Sequence, residues 1–133
     1  MTGKRILMAD DEPVVLRVLR LQLEKAGYVV ETVPNGEAAL ARLRDGYPDV
    51  LITDIEMPKM TGEELCRRIE IEFPDREFPI FVATSLTGLR HREWTRDIAN
   101  LHLLEKPLSA RKLLTALDEY FASTTSITRR EPA

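Results

Sequence analysis

The sequence predicts an α/β domain with a five-stranded parallel sheet, order 2-1-3-4-5, doubly wound by five helices. Three observations predict it. Five short apolar runs recur along 133 residues, and the first, Ile6-Leu7-Met8-Ala9, lacks any polar alternation, as a strand buried on both faces does. Amphipathic stretches of helical period separate and follow these runs. Short links and right-handed crossovers leave few topologies, of which this order is the most frequent.

The elements follow in order. The run "KRILMA" (4–9) gives a first strand. Val15, Leu19 and Leu23 then repeat at i, i+4, i+8 beside Val18 and Ala26, and Pro13 suits the first turn of a helix over 13–26. "YVVETV" (28–33) is the second strand, and "NGEAALARLRDG" opens on Asn35-Gly36 and closes on Gly46, a helix start and stop. "DVLIT" (49–53) is the third strand, and "TGEELCRRIEIEF" starts with the capping-box pattern Thr61-x-x-Glu64. "PIFVAT" (79–84) precedes the weakest helix, 87–99, where Gly88 sits early and apolar positions are sparse. "LHLLE" (101–105) is the fifth strand. Behind a Ser109 cap, Leu113, Leu114, Leu117, Tyr120 and Phe121 form the stripe of the last helix. Residues 123–133 lose this periodicity, predicting a domain over 1–122 and a flexible tail or linker stub.

Composition narrows the function classes. A net charge of -3 gives no electrostatic reason to expect nucleic acid or membrane as a partner. The single Cys66 excludes an internal disulfide, and with two histidines it argues against a zinc site. No apolar run nears the ~20 residues of a membrane span, and "MTGKRILMA" meets acids too soon for a secretion signal, so a cytoplasmic location is expected.

Candidate chemistry gathers at the strand ends. Ligands of open parallel sheets bind beyond the carboxyl ends of the strands, where strand order reverses. The first strand ends in Asp10-Asp11, the third in Asp54, the fourth in Thr84-Ser85, and Lys106 follows the fifth. Three carboxylates in one place are costly unless a cation offsets them. Oxygen donors without paired His or Cys favour a hard ion such as Mg2+. A carboxylate is also a competent phosphoryl acceptor, with metal and lysine neutralising the charge on the transferring group.

Taken together, "MADDEP", "LITDIEMP", "VATS" and "LLEKPL" resemble the receiver domain of two-component response regulators, a chemotaxis-regulator-like, flavodoxin-like fold, over residues 4 to about 122. The resemblance implies a phosphorylation-dependent signalling switch rather than an enzyme with an external substrate. Asp54 would be the phospho-acceptor, and Asp11 would ligate Mg2+ directly. Asp10 would act through a water on the ion, and the Glu56 backbone carbonyl would complete the ligands. Thr84 would hydrogen-bond the phosphoryl group and Lys106 would pair with it. A cis Lys106–Pro107 bond is implied as well.

Partners implied are a sensor histidine kinase or histidine phosphotransfer protein and a downstream target on the 87–122 face, with the chain a monomer or weak homodimer. The pattern departs from the family at Leu103, where an aromatic residue usually reports phosphorylation. Glu56 and Leu86 occupy two positions that tune phosphate lifetime in the family. A haloacid-dehalogenase-type phosphatase is the alternative, but its nucleophile strand comes first and reads D-x-D. Flavin or nucleotide binding would need a phosphate cradle after the first strand, where this chain has acids. His91 and His102 read as exposed or locally bonded, Cys66 as packing, and Trp94 as a partly buried surface aromatic.

Overall fold

The computed structural model describes residues 3–85 and 93–130, with 124–130 described by backbone alone. The strands are β1 (Arg5–Ala9), β2 (Val29–Val33), β3 (Val50–Asp54), β4 (Ile80–Thr84) and β5 (Leu101–Glu105). The helices are α1 (Pro13–Lys25), α2 (Gly36–Arg44), α3 (Gly62–Glu72) and α4 (Ala110–Arg130), with a helical turn at 93–95. Of the helix predicted over 87–99, residues 87–92 lie outside the described residues, and 96–99 form turns rather than helix.

All neighbours pair in parallel in the order β2-β1-β3-β4-β5. Successive side chains of a strand point to opposite faces, so each inner strand feeds two cores. Leu7 and Ala9 join Leu51, Ile80 and Val82 under α2 and α3, with Leu40, Leu43, Leu65 and Ile69. Ile6 and Met8 join Val50, Ile52 and Phe81 under α1 and α4, with Leu19, Leu23, Leu113 and Leu117. β5 is half-buried because it closes the sheet edge.

Local signals place the helix starts. Pro13 opens α1, the Asn35 side chain accepts from the Ala38 amide at 2.8 Å, and the Ser109 hydroxyl accepts from the Lys112 amide at 3.1 Å. Thr61 and Glu64 form the full reciprocal box, at 2.9 and 3.2 Å.

Three expectations need correction. The inward stripe of α1 is Leu16, Leu19 and Leu23 with Val15 packed beside it, but Val18 is not part of it: it stands 53% exposed, with Val14 and Leu21 on the same outer face. Trp94 is buried at 6% exposure in the α2–α3 core, not at the surface. The last helix runs to Arg130, past the start of the predicted flexible tail at 123. No Gly or Pro interrupts 110–130, so backbone bonding continues after the apolar stripe ends, and Pro132 disfavours helix at the residue before it. No helix among the described residues is long and apolar enough to cross a membrane.

Packing of this density makes a direct prediction. Leu117 is fully buried between α4 and the sheet, so Leu117→Ala costs about 2–5 kcal/mol in chemical denaturation. Ile71, 78% exposed on α3, is the control: Ile71→Ser stays within about 0.5 kcal/mol.

Candidate phosphoryl-acceptor site

Asp54 closes β3 and is 4% exposed, although a lone buried carboxylate resists ionisation. Its compensation comes from across the sheet. The amide of Lys106 donates to the Thr84 carbonyl at 2.8 Å, extending the β4–β5 ladder by one step. Lys106 Nζ stands 2.8 Å from Asp54 Oδ1, and the Lys106–Pro107 bond that follows is cis, as the resemblance implies. From β1, the Asp10 amide donates to the Val33 carbonyl at 3.2 Å, continuing the β1–β2 ladder. Oxygens of Asp10, Asp11 and Asp54 lie within 4.8 Å of one another.

The electrostatics follow from this crowding. Burial pushes the Asp10 carboxyl up to about 6, and the nearby Asp54 adds to the rise; the Glu12 amide, donating to Asp10 Oδ1 at 3.0 Å, and Lys106 pull against it. Burial alone would lower the Lys106 ammonium, but its hydrogen bond and charge pairing with Asp54 outweigh this and hold it above its ordinary value. One ammonium does not balance three carboxylates. Among the described residues this is the one oxygen-only cluster of acids with metal-ligand spacing, and its donors fit a hard divalent cation.

The other expected members differ in placement. Thr84 is buried at the same rim, but its hydroxyl donates to the Ser85 carbonyl at 3.2 Å rather than to the acids. Glu56 is exposed and lines, with Asp11, Met57, Pro58, Thr61 and Glu63, an open depression of about 720 Å3 beside the cluster. Leu103 packs half-buried against the core that holds Trp94 and Ile98. Leu86 lies outside the described residues, as does His91. His102 is half-buried, stacked on Phe81 at 4.9 Å, and its Nε2 pairs with Asn100 Oδ1 at 3.0 Å. Cys66 is fully buried, and burial pushes its thiol up to about 12, so it packs rather than reacts.

One contributor was missed in the sequence. Gly62 presses the start of α3 onto the Asp54–Ile55 backbone, its amide donating to the Ile55 carbonyl at 2.7 Å. A Cβ there would stand 2.4 Å from the Asp54 carbonyl oxygen. A usable signal existed: glycine is a poor first helical residue unless something approaches closely.

A family model for the response regulator receiver domain matches residues 6–118. The chain belongs to that family. Protein PilG of Pseudomonas aeruginosa is 29% identical to this receiver domain over 125 residues, 94% of this chain and 93% of PilG. The alkaline phosphatase synthesis transcriptional regulatory protein PhoP of Bacillus subtilis is 30% identical over 111 residues, 84% of this chain and 45% of PhoP. The chain therefore spans nearly all of PilG and about half of the transcriptional regulators it matches.

Among solved structures, the chemotaxis response regulator CheY4 of Vibrio cholerae superposes with a TM-score of 0.80 at 30% identity, covering 89% of this chain and 98% of that one. A receiver domain protein from Methanospirillum hungatei gives 0.82 at 25%, covering 94% and 98%. The dehalogenase-type phosphatase alternative finds no support in these matches.

Proposed function

We propose that this receiver domain takes a phosphoryl group from the phosphohistidine of a kinase or phosphotransfer protein onto Asp54. The observation that carries this reading is the 2.8 Å approach of the Lys106 ammonium to a buried Asp54 that also sits within 4.8 Å of Asp10 and Asp11. In the transfer, an Asp54 oxygen forms the new bond to phosphorus while the bond to the donor nitrogen breaks. Lys106 follows the charge from the carboxylate to the transferring oxygens. Thr84 turns its hydroxyl from the Ser85 carbonyl toward the phosphoryl group. Asp10, Asp11, Asp54 and the Glu56 carbonyl would hold Mg2+, which supplies charge neutralisation and orientation when bound.

Added charge at the strand rim then biases a two-state equilibrium read on the 87–122 face, with Leu103 and the segment around Trp94 carrying the change in place of a swinging ring. Val14, Val18 and Leu21 give α1 an exposed apolar stripe beginning beside the acids, suited to cover by the donor protein. A cytoplasmic location accords with this role.

The test is incubation with a phosphodonor and Mg2+, read by intact mass and peptide mapping. The expected result is one added phosphoryl group at Asp54, absent in Asp54→Asn and without Mg2+. Equal labelling of the variant would remove Asp54 from its role.

A further inference from the structure

We infer that a cleft at the amino ends of the strands, remote from the acids, docks an arginine-bearing segment of a partner protein. It opens between the α2–β3 link, the α3–β4 link and α4, with a volume of about 490 Å3. Two kinds of wall meet there. Tyr47, Phe78, Tyr120 and Phe121 supply rings, and Asp49, Asp75 and Glu77 supply carboxylates against the ammonium of Lys4. Asp49 and Asp54 stand at opposite ends of β3, about 16 Å apart at the rise of an extended strand. The inference is therefore independent of the reading of Asp54 as acceptor.

The walls are fixed from behind and carry unused acceptors. Tyr47 packs edge-on with Phe73 and Phe78, centroids at 5.6 and 5.4 Å, and stays 44% exposed. Its hydroxyl donates to Asp75 Oδ1 at 3.1 Å, and Asp49 Oδ2 accepts from the Arg5 amide at 2.7 Å. Asp49 Oδ1, Asp75 Oδ2 and the exposed Glu77 carboxylate have no hydrogen-bond or ion-pair partner among the described residues. The rings already take cations from this chain: Lys4 Nζ lies 4.9 Å over Phe121, and the Arg76 guanidinium 5.5 Å over Phe78. Arg76 is met by Glu70 at 3.5 Å, so the cleft keeps a net negative charge. A planar guanidinium suits such walls better than an ammonium, because it stacks on rings while its fork pairs with carboxylates.

The test is an amide NMR titration with acetyl-Ala-Arg-Ala-amide, run beside the same tripeptide carrying neutral citrulline in place of arginine. The expected result is saturable shifts centred on the amides of Tyr47, Asp49, Glu77, Phe78 and Phe121, with a Kd of about 1 mM, as one anchoring side chain gives. The citrulline peptide, which keeps the shape and loses the charge, binds about fivefold more weakly. Glu77→Gln weakens the arginine peptide about threefold, and Lys4→Gln tightens it about threefold by removing the competing ammonium. Absence of saturable shifts at these amides would overturn the site. So would equal binding of the citrulline peptide, or binding that Lys4→Gln leaves unchanged or weakens. Shifts at the same amides on diluting the protein alone would place a second copy in the cleft and overturn the separate partner.

Discussion

Gly62→Ala slows phosphoryl incorporation at Asp54 by about 100-fold and destabilises the fold by about 2 kcal/mol. The cause is contact, not dihedral strain, since Gly62 is not among the positive-φ glycines. Its added carbon would sit 2.4 Å from the Asp54 carbonyl oxygen and 2.8 Å from the Ile55 Cα. Both are backbone atoms and cannot rotate aside, so α3 or the end of β3 must shift. Overpacking of this kind costs about 3 kcal/mol, and alanine's better helix propensity returns about 1. A displacement near 1 Å at a reacting carboxylate is worth about two orders of magnitude in rate.

Gly36→Ala is the internal control. There the new carbon meets the Met60 side chain at 3.0 Å, and a flexible thioether can yield, so the loss stays below about 1 kcal/mol with labelling unaffected. Labelling rates by mass spectrometry and stability by urea titration separate the two. Wild-type labelling in Gly62→Ala would show that α3 does not hold the acceptor in place.

What was legible in the sequence was whatever depends on one segment alone. The β3 run and its terminal Asp54, the Thr61–Glu64 box and the Asn35 cap are local, and each lies where the residue pattern puts it. The acids and Lys106 were legible because parallel topology sends every strand's carboxyl end to one rim. Contacts between segments were less so. Which turn of α1 faces inward depends on the sheet it meets, and Val15 and Leu16 offer nearly the same apolar stripe until β1 and β3 are beneath them.

Arg76 makes the same point. It is a charged loop residue in the sequence, yet its guanidinium is buried, donating to the Phe78 carbonyl at 2.7 Å and to the Ala99 carbonyl, and pairing with Glu70 at 3.5 Å. It ties the α3–β4 link to the segment before β5, a closure across more than twenty residues that no local pattern announces. The Thr84 hydroxyl is the finer case: its place at the rim follows from topology, but its turn toward Ser85 is a rotamer choice.

Lys106→Met destabilises the metal-free protein by about 2 kcal/mol at pH 7, and the loss shrinks on acidification. Breaking a buried pair costs about 3–5 kcal/mol, reduced here because Lys106 is about one-third exposed and its charge is partly screened. Methionine keeps most of the apolar stem, so the change reports the charge.

The pH dependence follows from Asp10. Its folded pKa, about 6, lies above the ordinary 3.8, so its stabilising contribution is fully present below about 3.8 and is lost as pH rises through about 6. Lys106 is one of the groups holding that value down, so removing it raises Asp10 further and enlarges the gain on acidification. The gap between variant and wild type is therefore widest at pH 7 in EDTA and narrows toward pH 4.5. Mg2+ stabilises the variant more than the wild type, because the ion no longer competes with an ammonium for the same oxygens. Urea titrations at both pH values, with EDTA and with Mg2+, test this. A gap unchanged by pH and by Mg2+ would mean that Lys106 contributes packing alone, and not charge, to this rim.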